Sequence, residues 1–294
     1  TQSFQAAEIM IRYENLLMAN KCDLCLVVGD VNSTMACAIS SKKLGISLAH
    51  VEAGIRSGDI LMPEEVNRLV TDSITDYFFT TTEDASNNLL NEGAKKENIF
   101  FVGNTMIDTL IANKDRFTSP QVWKDQDLES KEYLLLTLHR PSNVDDSENL
   151  RNIFGVICEE GKKVVFPVHP RTKAIMKNIS NLPTNLILTE PMPYLQFNYL
   201  VQNSLGVITD SGGITEETTV LNIPCITIRD TTERPETVIL GTNELVGSDP
   251  ENIANAIRRM CSGDWKEGTV PPLWDGNSGK RIVEKLVNLF NEDE

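Results

Sequence analysis

The chain has 294 residues, enough for one large or two ordinary domains with a sizeable core, and its 42 acidic against 27 basic side chains give a formal net charge of -15. That balance argues against nucleic acid and anionic membranes as partners, while leaving room for a locally basic pocket that takes one small anion. No apolar run approaches the roughly 20 residues of a membrane span, and no signal-peptide pattern opens the chain, so a soluble, cytoplasmic protein is expected.

In chain order, Phe4 to Asn20 places Ala6, Met10, Tyr13 and Leu17 on one face and predicts an amphipathic helix. LCLVVGD is a strand ending at Asp30, Asn32 and Ser33 cap a helix to about Leu44, and ISLAHVE is the next strand. A helix from Pro63, the strand DYFFTT, a helix from Glu83 to Glu92 closed by Gly93, and the strand NIFFVGN complete the first half. The second half repeats the rhythm: EYLLLTLHR, the helix SENLRNIFGVICEE, KVVFPVHP, NLILTE, the helix PYLQFNYLVQN, LGVITD, the helix ITEETTVL, PCITIRD, ELVG and a helix from Glu251.

Strands alternating with helices imply an α/β protein of two doubly wound, Rossmann-like domains with parallel sheets covered on both faces. The expected domains are residues 1–104 and 105–279, with a hinge near Asn104 to Asp127 and a C-terminal helix, residues 280–294, packing back on the first. A doubly wound domain usually opens on a strand and a ligand-binding turn; because this chain opens on a helix, such a strand and turn are expected to be missing from its N-terminus.

Of the six cysteines, Cys22 and Cys25 form a C-x-x-C, but there is no second pair at zinc spacing and Cys25 opens the apolar run CLVVG. Reduced structural thiols are expected, with no metal and no cofactor. In open parallel sheets ligands bind beyond the carboxyl ends of the strands, and there stand Asp30, Glu52, His139, His169, Asp210 and Asp230.

Two stretches concentrate chemistry. In VITDSGGITEE, a buried strand, a tight turn over Asp210 to Gly213 and a helix make a candidate anion site. Glu216 and Glu217 are read in the first helical turn, and Arg229 and Arg234 follow the next strand, a set suited to a nucleotide. In HVEAG, strand alternation sends His50 and Glu52 to one face, where Glu52 serves as acid or base or else pairs with Arg56; in MPEEVNR, Glu64 and Glu65 follow a helix-start proline.

GDVNST, HVEAGIRSGD, MPEEVNR, FVGNTMIDTL, LHRPSNVD, FPVHPRT, TDSGGITEE and RDTTERPETVILGTN, in this order, resemble the non-hydrolysing UDP-N-acetylglucosamine 2-epimerases over essentially the whole chain. The resemblance implies a glycosyltransferase-B-type pair of domains with an interdomain cleft and a homodimer. It also implies roles by position: Asp30, Glu52, Glu64 and His139 in catalysis, Ser211, Gly212 and Gly213 on the diphosphate, Glu217 on ribose hydroxyls, Arg234 on the nucleotide and Phe197 in the uracil pocket. Met192 stands where some members carry a glutamine that touches the nucleotide, and the family's N-terminal basic phosphate contacts have no counterpart here.

The implied reaction removes the C2 proton of the sugar as UDP leaves C1, giving a 2-acetamidoglucal, and returns both to yield the ManNAc derivative. A carboxylate base working near neutral pH needs its pKa raised by burial or a like-charged neighbour. The substituents at C3 and C6 stay open, so a UDP-2,3-diacetamido sugar uronate is a second substrate candidate, and a glycosyltransferase or a non-catalytic nucleotide-sugar binder are the other functional readings.

Overall fold

A computed structural model describes residues 1–177, 179 and 181–291 and divides the chain into two compact units, Thr1–Asp108 with Pro272–Glu294, and Thr109–Pro271. The first unit runs α1 (Gln2–Ala19), β1 (Leu24–Val28), α2 (Asn32–Lys43), β2 (Ser47–Ala53), α3 (Pro63–Ser73), β3 (Tyr77–Thr80), α4 (Glu83–Asn91) and β4 (Ile99–Phe101); α5 (Thr105–Asn113) carries the chain out of it. Its strands form a parallel sheet in the order β1-β2-β3-β4. Thr1 and Thr82 accept the Phe4 and Ala85 amides and so start α1 and α4. The helix expected to be capped by Asn32 and Ser33 begins at Asn32 itself, with Val31 at the cap position; the Asn32 side chain turns to other partners, its Nδ2 donating to Gln5 Oε1 of α1 at 2.8 Å and its Oδ1 accepting from Asn67 Nδ2 at 3.2 Å.

The second unit continues with α6 (Gln121–Asp125), β5 (Tyr133–Thr137), α7 (Pro141–Val144), α8 (Ser147–Cys158), β6 (Lys163–Pro167), α9 (Pro170–Met176), β7 (Leu186–Thr189), α10 (Tyr194–Asn203), β8 (Gly206–Thr209), α11 (Gly212–Leu221), β9 (Cys225–Thr227), α12 (Pro235–Ile239), β10 (Asn243–Leu245) and α13 (Pro250–Ser262). Its parallel sheet has the order β10-β9-β8-β5-β6-β7. The chain therefore builds outward from β5 in one direction, returns, and builds outward from β8 in the other, which makes the gap beyond β5 and β8 a topological switch point. Leu134, Leu136, Phe166, Ile208 and Ile226 pack on one face with α8 and α13, while Leu135, Val165, Val207 and Cys225 pack on the other with Leu200 and Val201 of α10. Strands buried on both faces explain the near-continuous apolar runs.

The last helix, α14 (Ser278–Asn291), belongs to the first unit. Ile282 is buried with Ala49, Val51, Phe79 and Val102, and Asp108 accepts the Ser278 and Gly279 amides at 3.1 and 2.7 Å. Residues 292–294 of the expected C-terminal helix lie outside the described residues.

Candidate active site

Parallel strands put all their carboxyl ends on one edge, and on that edge of the first unit β1 delivers Asp30 and β2 delivers Glu52. Asp30 Oδ2 accepts from Nε and Nη2 of buried Arg68 at 3.0 and 2.7 Å, and Arg68 Nη1 donates to Glu65 at 2.7 Å. Glu65 also accepts the backbone amides of Ser57 and Gly58 at 2.9 and 3.0 Å. Burial alone would raise its carboxyl, but these donors outweigh it and hold the group below the ordinary carboxylate range. Of the two adjacent glutamates, Glu65 is therefore an anchor for the loop before α3. Glu64 is exposed and lines a cavity of about 240 Å³ with Asn32, Ser33 and Asn67.

The alternation expected for HVEAG does not hold through Glu52. The β2–β3 register shifts between Val51 and Ala53, and Glu52 takes φ 68°, a conformation uncommon for a residue with a side chain. Gly54 follows at φ 79°, packed so closely that a Cβ there would run into the Ala85 carbonyl oxygen. The bulge re-aims the carboxylate: Glu52 Oε2 lies 3.9 Å from the position a Cβ on Gly29 would take, beside the residue that precedes Asp30. His50 goes elsewhere, wholly buried between Asp72 (Nδ1 to Oδ1, 2.6 Å) and the Gly29 carbonyl (Nε2 to O, 2.9 Å). Arg56 forms ion pairs with Asp72 at 2.8 Å and Glu92 at 2.6 Å.

In the second unit the switch point holds His139, after β5, and Asp210, after β8. Thr137 and Thr209 are in register at the ends of these strands, their hydroxyls 2.7 Å apart. Asp210 is fully buried and accepts the His139 amide at 3.1 Å, the Arg140 amide at 2.9 Å and the Asn143 side-chain amide at 2.9 Å. Its Oδ1 also faces His139 Nδ1 at 2.7 Å. Burial would raise this carboxyl; the imidazole, Asn143 and the Arg140 amide prevail and keep it below its usual value. The imidazole is otherwise exposed.

Gly212 and Gly213 are not a turn before the helix but its first two residues, with Ser211 at the cap. Serine is a strong capping residue, yet its side chain makes no cap hydrogen bond here, so the first-turn amides of α11 remain available to an anion. Gly212 is required by packing: a Cβ would come within 2.5 Å of Glu233 Oε1. Because α11 starts two residues earlier than expected, Glu216 and Glu217 lie in its second turn, and both are buried. Glu216 pairs with Arg234 Nε at 2.6 Å. Glu217 accepts from Tyr194 Oη at 2.9 Å, and burial raises its carboxyl more than Tyr194 and Asn198 lower it. Phe197 and Met192 are half-buried against the core beneath α10.

Three groups escaped sequence reasoning: Arg68, which gathers Asp30 and Glu65; Asp72, which fixes His50; and Tyr194, which holds Glu217. The i, i+3 spacing of Glu65 and Arg68 was a usable signal for the first, whereas Asp72 and Tyr194 meet their partners only through the fold. Among the described residues no cluster of three or more His, Cys, Asp or Glu is arranged to hold a metal ion, and no helix is long and apolar enough to cross a membrane.

The profile of the family described as UDP-N-acetylglucosamine 2-epimerase matches residues 1–287. The UDP-N-acetylglucosamine 2-epimerase of Methanocaldococcus jannaschii is 42% identical over 98% of this chain and 81% of its own. The crystal structure of the Methanocaldococcus jannaschii UDP-GlcNAc 2-epimerase in complex with UDP-GlcNAc and UDP superposes with a TM-score of 0.86, covering 98% of this chain and 82% of that one at 42% identity. The UDP-2,3-diacetamido-2,3-dideoxy-D-glucuronate 2-epimerase of Pseudomonas aeruginosa is 35% identical over 98% of this chain and 81% of its own. With two parallel α/β sheets, acidic strand ends in one unit and an uncapped glycine helix start at the switch point of the other, the chain belongs to the UDP-N-acetylglucosamine 2-epimerase family of enzymes.

Proposed function

We propose that the protein inverts C2 of UDP-N-acetylglucosamine to give UDP-N-acetylmannosamine, through loss and return of UDP. One of Asp30, Glu52 and Glu64 takes the C2 proton while the C1–O bond breaks and its electron pair leaves with UDP. The 2-acetamidoglucal then regains a C1–O bond to UDP and a proton on the opposite face of C2. Ser211, Gly212 and Gly213 hold the diphosphate, with His139 and Arg234 favouring the charge that develops on it; Glu217 takes the ribose hydroxyls and Phe197 the uracil.

The observation that carries this reading is the uncapped start of α11 at the switch point, with His139 fixed alongside by Asp210. A preformed, half-buried anion site of this kind suits a leaving diphosphate. The relative crystallised with UDP-GlcNAc and UDP supports the choice of ligand. The family resemblance adds a cytoplasmic homodimer, and sedimentation of the purified protein at about twice the monomer mass is the expected outcome.

Incubating the protein with UDP-N-acetylglucosamine in heavy water tests the chemistry: deuterium at C2 and a new UDP-N-acetylmannosamine signal are expected. Glu64→Gln abolishes the exchange and leaves UDP affinity nearly intact; exchange that survives the substitution removes Glu64 from the reaction. The 35% identity to the Pseudomonas aeruginosa enzyme favours a second reading, epimerisation of a UDP-2,3-diacetamido sugar uronate. Exchange with that uronate and none with UDP-N-acetylglucosamine would select it, and exchange with neither would refute both.

A further inference from the structure

Arg229 follows β9 and is buried at 7% exposure, yet its guanidinium is only partly used. Nη2 donates to Glu233 Oε2 at 2.7 Å, whereas Nη1 finds no hydrogen-bond partner among the described residues. Leaving a buried guanidinium N–H unmatched is costly, and in a folded protein it asks for an acceptor. The position of Nη1 says which acceptor. It lies 4.0 Å from where a Cβ on Gly212 would stand, against the uncapped first residue of α11. Two independent donors, the first-turn amides and a fixed cation, thus meet at one glycine.

Glu233 explains how the cation keeps its aim. Its Oε2 holds Nη2, its Oε1 packs against Gly212, and the pair is shielded from water at 5% and 10% side-chain exposure. A fork gripped by one nitrogen leaves the other pointing in a defined direction, which a lysine ammonium would not.

We propose that Arg229 is a further diphosphate-binding residue, whose Nη1, oriented by Glu233, donates to the phosphate oxygens held at Ser211 to Gly213. The assignment rests on the reading of that helix start as a diphosphate site. Glu233 is then a positioning residue, and the Glu216–Arg234 pair one turn further along α11 is a separate contact.

Arg229→Gln alone strands a buried carboxylate and risks misfolding, so the decisive protein is the neutral double variant Arg229→Gln/Glu233→Gln, compared with the parent in UDP titration calorimetry, ligand-detected NMR with uridine, and thermal melting. Uridine carries no phosphate and reports the rest of the pocket. The double variant is expected to melt close to the parent, to lose UDP affinity by roughly tenfold to a hundredfold, the weight of a charge-assisted hydrogen bond, and to bind uridine unchanged. Arg229→Lys, which keeps the charge without the fork, falls between. Unchanged UDP affinity in the double variant overturns the assignment, as does loss of UDP and uridine by the same factor, which would make the pair structural. If Glu217→Gln still weakens UDP in the first of these outcomes, the nucleotide site itself stands and only Arg229 is removed from it. A parent that binds no UDP overturns the reading of the helix start and this assignment together.

Discussion

Glu65 sits at 3% exposure with the Ser57 and Gly58 amides, the Ser57 hydroxyl and Arg68 all donating to it, while Glu64, one residue earlier, faces outward. On the proposed role of Glu64, substitutions at the two positions separate stability from chemistry. Glu65→Gln leaves Arg68 short of a charge in a buried setting and is expected to cost about 3 kcal/mol, read as a lower denaturation midpoint. Acid should do the same more broadly. Glu65, Asp72, Asp210 and Glu233 are all held below their ordinary values, Glu233 at about 2 by Arg229 and Arg234 against the opposing pull of burial. A carboxylate lower in the folded than in the unfolded state stabilises fully above its unfolded pKa and loses that contribution as pH falls through the folded one. The urea midpoint should therefore stay level down to about pH 5 and fall steeply below about pH 4. Glu217 has the opposite sign: burial raises it, so ionising it at neutral pH costs stability. Glu217→Gln is expected to raise the melting temperature at pH 7 while weakening UDP at least about tenfold, a rise in one with a loss in the other that only a binding role produces.

Among the elements, α14 is held to the first unit by, among other contacts, the Ile282 side chain in that unit's core and the Asp108 carboxylate on its first-turn amides. Asp108→Ala removes a cap and should cost about 0.5–2 kcal/mol; Ile282→Ala opens a cavity and should cost about 2–5 kcal/mol, both measurable by chemical denaturation. Asp108 lies in the motif FVGNTMIDTL, and nothing local betrays that its partner begins 170 residues later. That contrast describes what the sequence could and could not reveal. The strands of both sheets were legible because parallel strands covered on two faces must be apolar nearly throughout. The start of α11 was misplaced because glycine reads as a turn, whereas Gly212 is there to clear the Glu233 carboxylate. The kink at Glu52 was hidden because it is imposed by the Gly54 contact with α4 and by the shifted register, both products of tertiary packing. Short α12, inside a stretch already full of polar residues, gave no periodicity to find.

At the scale of the whole molecule, the cores of the two units are built from different residues, so each can melt with its own cooperativity. Calorimetry is expected to resolve two transitions, and UDP at a hundred times its dissociation constant should stabilise the second unit by about 2.7 kcal/mol, moving its transition up by roughly 5–10 °C and leaving the other in place. A shift of both transitions together would mean that the units unfold as one. The tie between His139, Arg140 and Asp210 bears on how such a ligand arrives. The loop beyond β5 is already tethered to the neighbouring strand end before anything binds, so its disorder is surrendered once, when the chain folds, and is not surrendered again at each encounter. Asp210→Asn should move that ordering from folding to binding: UDP would associate more slowly and with a less favourable entropy, through a loop that has to be caught before it can hold.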